Sequence, residues 1–254
     1  MRKYISTYLF LTLFSQYLLS DSFNYNTYNN HGAIGLINMP TARFYDAGSY
    51  GITLYDGHPD QKVTLSSNPY DWLEASFFYT NVQDRPYCYD FTSEFCLQDF
   101  KDKGFNVKAR LKEQGVFPAI AIGLNDFAGT GLYSSEYIVG SYGINRTDFH
   151  FGIGFGLLDG SDQRFRNPLG IISDQFYDRP TSFAAKGGSF QPSRYFSGET
   201  ASPFFGVSHA LNKKLILRAE YDSSARPGLV PFRVPESDFS FGIDYKITKN
   251  FSVG

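Results

Sequence analysis

Cysteine, methionine and tryptophan are nearly missing from this chain, at 2, 2 and 1 among 254 residues. Two cysteines exclude a multiply bridged disulfide scaffold, and without nearby histidines they make a poor zinc site. The histidines, His31, His58, His150 and His209, are scattered without metal-ligand spacing, so no metal is expected. An excess of charge is missing too: 23 Lys and Arg stand against 25 Asp and Glu. That balance offers nothing to meet the phosphates of a nucleic acid. No nucleophile elbow, phosphate-cradling glycine loop or Walker-type lysine occurs. No cofactor and no catalytic residue is therefore expected, and no carboxylate pair suited to glycoside hydrolysis singles itself out. After the first twenty residues no apolar run approaches the ~18 residues of a spanning helix.

Phe (26), Tyr (19) and Gly (24) are abundant instead, a composition that favours strands and tight turns. A mean hydropathy of -0.28 argues against a helical membrane bundle. It is compatible with a β-barrel, where only alternate residues face lipid. The start differs from the rest. Arg2 and Lys3 precede the mostly apolar run Tyr8 to Leu19, with Ser20 at its end. Residues 1–20 read as a secretory signal peptide, and no cysteine there supports a lipoprotein anchor. In a secreted protein Cys88 and Cys96 are expected to close a local disulfide, two free thiols being the other reading.

From about Gly48 onward the sequence alternates with period two. Phe149, Phe151, Ile153, Phe155 and Leu157 oppose His150, Gly152, Gly154 and Gly156. Phe239, Phe241, Ile243 and Tyr245 oppose Ser240, Gly242, Asp244 and Lys246. Leu215, Leu217, Ala219 and Tyr221 oppose Lys214, Ile216, Arg218 and Glu220. This pattern predicts strands near 49–55, 61–67, 71–80, 104–111, 118–125, 134–142, 147–157, 203–210, 213–222, 237–246 and 250 onward, about eleven in all. A short helical turn is expected between Asn125 and Ser135.

The links between these strands alternate in length. Those at 68–70, 112–117, 143–146, 211–212 and 247–249 are short, and those at 81–103, 126–133, 158–202 and 223–236 are longer, with Asp56 to Asp60 the one short link of the second set. Short turns on one side and long loops on the other mark outer-membrane barrels. A β-sandwich has no reason to sort its loops this way. One face would meet lipid. The other would carry Glu74, Lys108, Arg110, Glu136, Arg218, Glu220, Asp244 and Lys246 toward a wet lumen, because unpaired charges in a dry interior cost several kcal/mol. The fold class expected is an all-β, antiparallel, up-and-down transmembrane β-barrel over residues 48–254. Strand eleven is barely begun at Gly254, and an open edge is not tolerated in lipid. The barrel is therefore expected to be incomplete within this chain. Residues 21–47 would be a periplasmic segment or a lumen plug, two readings the sequence leaves open.

The segment Gly32 to Gly51 contains Gly35-Leu36-Ile37 and Pro40-Thr41-Ala42-Arg43. Further on come Trp72 to Ser76, Ile122 to Asp126, Gly129 to Tyr137, Asn167-Pro168-Leu169-Gly170 and Tyr195 to Gly198. This ordered series resembles the YjbH-type exopolysaccharide biosynthesis proteins of Gram-negative bacteria. The resemblance implies an outer-membrane β-barrel that assists exopolysaccharide or capsule biosynthesis or export. It implies a non-enzyme whose partners are outer-membrane lipid, polysaccharide and other export proteins. A general porin-like channel and a secreted soluble β-sandwich that binds carbohydrate are the rival readings.

For binding, the long link 158–202 offers Arg164, Arg166, Asp174, Tyr177, Arg179, Arg194 and Tyr195. Sugars are held by aromatic faces and planar polar groups. A self-packed external loop or an inward plug, its arginines paired to Asp162, Asp174 and Asp178, is the competing reading. The inner charges Glu74, Lys108, Arg110, Glu136, Arg218 and Glu220 would line a conduit or pair across neighbouring strands.

Overall fold

A computed structural model describes residues 26–87, 98–160, 162–180, 190–227, 232–233 and 237–254. The expected signal segment and both cysteines lie outside the described residues. The elements are β1 (Ser49–Asp56), β2 (Asp60–Tyr70), β3 (Leu73–Pro86), β4 (Asp99–Lys112), β5 (Ala119–Asn125), β6 (Ser135–Ile144), β7 (Thr147–Gly156), β8 (Phe165–Arg166), β9 (Thr200–Ala210), β10 (Leu215–Tyr221), β11 (Arg226–Pro227), β12 (Phe232–Arg233), β13 (Phe239–Lys246) and β14 (Ser252–Val253). A 12-stranded sheet runs β1-β2-β3-β4-β5-β6-β7-β9-β10-β13-β14, with β8 beside β9; β11 and β12 pair separately. Sequential neighbours pair antiparallel, as in an up-and-down meander. β1 and β14 are the two ends of the sheet.

Each of the eleven expected strands is present. β3 and β4 reach further than the alternation suggested, because Asn81, Val82 and Pro86 continue the ladder opposite Lys101, Phe100 and Asp99. The link between them shrinks accordingly. The expected helical turn between Asn125 and Ser135 is absent: residues 126–134 form bends, a turn and irregular chain. The described residues of the long link after β7 include 3-10 turns at Pro168–Ile171, Asp174–Tyr177 and Pro192–Arg194.

The two faces of the sheet have opposite chemistry. In β2 the residues Asp60, Lys62, Thr64, Ser66 and Asn68 are buried, and those between them are exposed. In β1 Tyr50, Ile52 and Leu54 are exposed at 87%, 68% and 80%. Phe149, Phe151, Phe205, Phe239, Phe241 and Ile243 are exposed on the same side. Charged side chains are therefore inside and aromatic ones outside, the reverse of a water-soluble domain.

The buried face is covered by residues 26–44. Backbone N–H of Ile34 donates to Glu74 on β3, and that of Ile37 donates to Glu220 on β10. β3 and β10 are six steps apart in the sheet, roughly 29 Å if it were flat. Three residues of chain span at most about 10 Å. The sheet must therefore curl around this segment. Tyr28 makes the same point. Its ring lies against Gly51 on β1, and its carbonyl accepts from Arg218 on β10 at 3.3 Å.

The inner charges keep partners in this dry setting. Lys108 and Glu74 form an ion pair of 2.9 Å with both side chains buried, and Arg218 reaches Asp244 at 3.2 Å. Removing one member of such a pair leaves an uncompensated charge. K108M is expected to destabilise the fold by about 3–5 kcal/mol. The double variant E74Q/K108M should recover much of that loss. Urea unfolding followed through the fluorescence of Trp72 checks both.

Candidate functional site

Residues 26–44 first fold on themselves. The Asn29 carboxamide accepts from the N–H of His31 and Ala33, each at 3.0 Å, and donates to the carbonyl of Asn38 at 3.1 Å. Asn30 donates to the side chain of Asn38 at 2.9 Å. The asparagines thus stand in for a backbone ladder in a stretch too short to build one.

The wall then satisfies what the segment leaves over. The Glu220 carboxylate accepts the consecutive N–H groups of Ile37 (2.9 Å), Asn38 (2.8 Å) and Met39 (3.2 Å). The ammonium of Lys108 donates to the carbonyls of Ile34 (3.1 Å) and Arg43 (2.9 Å) besides pairing with Glu74. All three of its protons are therefore used. Arg218 donates to the carbonyl of Leu36, and Ser141 accepts the N–H of Ala42 at 2.9 Å. Arg43 closes the segment with a two-pronged contact to Asp148 on β7, at 2.7 and 2.6 Å. Met39, Ala42 and Phe44 join an apolar cluster with Ala119, Ala121, Tyr137, Val139 and Phe204. The inner glycines make room for packed side chains rather than open space: a Cβ on Gly152 would strike Phe204, and one on Gly206 would strike Leu36. A cavity of about 40 Å³ remains near Asn29, His31, Tyr55 and Tyr133, space for roughly three waters.

Of the residues expected on the inner face, Glu74, Lys108, Arg218 and Glu220 lie there, and Arg110 sits at its margin. The Arg110 guanidinium lies 4.7 Å from the Phe44 ring and pairs with Glu113. Glu136 does not lie there. It stands opposite Leu124 and Phe155 in the ladder, on the face away from Tyr137 and Ser141. The cause is the link after β7, which folds back over that end of the sheet. Arg179 from this link grips Glu136 at 2.7 and 3.0 Å and also donates to the carbonyls of Arg194 and Ser197. Phe196 covers Phe155 edge-on at 5.4 Å. Phe155 is 1% exposed in consequence, although it follows Phe149 and Phe151 on the apolar side.

The binding candidates in this link are not gathered into one site. Arg164, Arg166 and Asp174 are exposed, whereas Arg194 is buried. Arg166 stacks on Tyr177 at 4.4 Å. Tyr195 donates its hydroxyl to the carbonyl of Phe127 at 2.8 Å. The link is organised by Asn167, whose carboxamide donates to the carbonyls of Phe176, Phe196 and Gly198 and accepts from Leu169. Sequence reasoning missed this knot and the Arg179–Glu136 clasp. An asparagine before proline at the head of a 3-10 turn was the available signal for the first. Arg194 is drawn down to about 10, chiefly by burial and then by the charge of Arg179. No group of three or more His, Cys, Asp or Glu among the described residues could hold a metal ion.

The link between β5 and β6 carries a second buried acid. Asp126 accepts the N–H of Tyr133 at 3.1 Å, and its own N–H donates to Asn106. Burial, and then the charge of Asp102, push its carboxyl up to about 7.

The geometry defines a class: a single curled antiparallel sheet, apolar outside, polar inside, with its own N-terminal segment packed in the hollow. A family model described as "Exopolysaccharide biosynthesis protein YbjH" matches residues 27–254. A relative from Escherichia coli (strain K12), named "Uncharacterized lipoprotein YjbH", is 32% identical over 225 residues. That alignment covers 87% of this chain and 31% of the relative, so the chain spans about a third of the relative's length. No solved structure matches. The chain belongs to the YjbH family of exopolysaccharide biosynthesis proteins.

Two outcomes follow from these contacts. R179A should free the link, and limited proteolysis should then cut within 162–200 while the sheet stays intact. Asp126, with its folded pKa above the ordinary value near 3.9, favours the fold most when protonated. Its contribution is complete below about pH 4 and lost as pH rises through about 7. The midpoint of thermal unfolding should fall between pH 5 and pH 8, and D126N should flatten that slope.

Proposed function

We propose that this chain is an outer-membrane β-barrel region of a cell-envelope protein that assists exopolysaccharide production or export. The observation that carries the reading is the inverted polarity of the sheet. A continuous outer belt includes Tyr50, Ile52, Leu54, Val63, Leu65, Phe105, Phe149, Phe151, Phe241 and Ile243, all exposed. In water such a surface is a severe liability, and against acyl chains it is what a strand-built wall requires. The link lengths support the same orientation. β2–β3, β6–β7 and β9–β10 are joined by tight turns, while β7–β9 and β10–β13 carry the long links of the opposite side. The stacked pair Tyr70 and Trp72, with ring centroids 5.7 Å apart, sits at a tight-turn end, suited to a lipid–water boundary. In lipid the β1 and β14 edges must be paired with further strands.

The family description supplies the process, and the word lipoprotein in the relative's name agrees with an envelope location. The role is read as non-enzymatic. A soluble sandwich would need its apolar face packed against a second sheet, and here the apolar side chains of that face stay largely exposed among the described residues. An open porin would need a hydrated inner face, and here that face is occupied.

Membrane fractionation should find the intact protein in the outer membrane, running at a heat-dependent position on gels. Recovery in the soluble periplasm would sink the barrel reading. Deleting the gene should lower surface polysaccharide. An arginine at Ile52 or Phe241 should impair assembly, at about 2–4 kcal/mol if the site is near the bilayer midplane, read as loss of the folded band.

A further inference from the structure

We propose that residues 27–44 are a resident plug that seals the hollow of the sheet, latched mainly by Glu220 and Arg218. This rests on the barrel reading above and goes beyond it by assigning the segment a task. Three observations carry it.

The first is reach. The segment touches β1 through Tyr28 and Gly51, β3 through Glu74, β7 through Asp148, β10 through Glu220 and β13 through Ile37 and Gly242. One short stretch thus spans the hollow from wall to wall. The second is saturation. Wall groups that could hydrate a passing solute are engaged with its backbone, with the Glu220 carboxylate accepting three successive N–H groups and the Lys108 ammonium donating to two carbonyls. The third is space. The cavity beside the segment, about 40 Å³, holds roughly three waters, too little for a sugar ring.

The composition of the wall says how the seal can give way. Glu74 with Lys108 and Arg218 with Asp244 remain paired to each other when the segment is gone. They tolerate water in its place, unlike an apolar core. The latch is the part that depends on the segment. Glu220 contributes three acceptor contacts, and Arg218 adds donations to the carbonyls of Leu36 and Tyr28. Glu220 also neighbours Asp222, which holds the carboxamide of Asn38 at 2.7 Å. Loss of both latch side chains releases the bend at 36–39 while the wall is held by its strand ladder.

The test is planar-bilayer conductance of the intact purified protein, with heat-dependent gel mobility as the measure of a folded barrel. The wild type is expected to be silent and R218A/E220A to show steady current steps. A cysteine pair at Ile37 and Gly242 provides the tether. A Cβ on Gly242 would lie 3.1 Å from Ile37 Cγ1, within disulfide range. I37C/G242C should cross-link in isolated membranes without reductant, and in the R218A/E220A background the oxidised form should lose the current and regain it on reduction. Steady current from a folded wild type overturns the plug. A folded but silent R218A/E220A overturns the latch. If that variant does not fold, the cross-link decides, and a pair that stays reduced under oxidant counts against the placement. A wild type with no heat-dependent band fails the barrel reading instead, which keeps the two ideas separable.

Discussion

A buried charge must be met by something, and in this molecule it is met by main chain as well as by opposite charge. The inner face of the sheet carries lysine, arginine and glutamate at positions a soluble protein would fill with leucine. In the dry hollow each would cost several kcal/mol without partners. Residues 27–44 supply the missing groups. Their N–H groups go to Glu74 and Glu220, and their carbonyls go to Lys108 and Arg218. The same exchange solves the opposite problem. A short segment with little secondary structure has many unpaired backbone groups, and the wall's side chains take the place of a ladder. Wall and segment are each unsatisfied alone. The curvature of the sheet follows from this, since β3 and β10 must both reach residues only three apart.

The strand pattern was legible because it is local. Period-two alternation in 147–157, 213–222 and 237–246 reports a two-faced surface whatever lies on either side. The extra length of β3 and β4 was not legible, because Asn81 and Lys101 break the alternation of polarity while still pairing in the ladder. The face of Glu136 was misjudged for a related reason. Charge alone does not mark the inner face, because a carboxylate can equally face outward beneath a clasping arginine. Arg179 lies 43 residues further on, and nothing in the spacing of β6 announces it. The register settles the matter: Tyr137, Val139 and Ser141 point inward, so their neighbour cannot.

The role of residues 21–47 stayed open in the sequence for the same physical cause. Its partners are distant: Glu74 lies 40 positions beyond Ile34, and Glu220 lies 183 beyond Ile37. What the sequence did offer were the residues that carry the family resemblance, and these are largely the ones that touch the wall. Leu36 and Met39 are buried under the sheet, Ala42 docks on Ser141 and Arg43 clamps Asp148. The Asn-Pro-Leu-Gly stretch at 167–170 likewise supplies the carboxamide that ties the long link together. In both places the motif is structural, organising chain that has no ladder of its own. That explains why neither motif looked chemically diagnostic.

A wet lumen and a filled one make different demands on sequence, and the contrast bears on what the protein does. A conduit for polymer needs inner side chains that are free to exchange hydrogen bonds with whatever passes. Here the ammonium of Lys108 has no proton left to offer, and three main-chain amides already occupy the Glu220 carboxylate. Selection for passage alone would not place an apolar cluster of Met39, Phe44, Tyr137 and Phe204 across the same hollow. Selection for a permanent core would not retain charge pairs that remain content in water. The combination agrees with the plug proposed above, whose wall keeps its ion pairs. Much of what holds the segment is a few charge-assisted hydrogen bonds, those that Glu220, Lys108 and Arg218 make to its main chain.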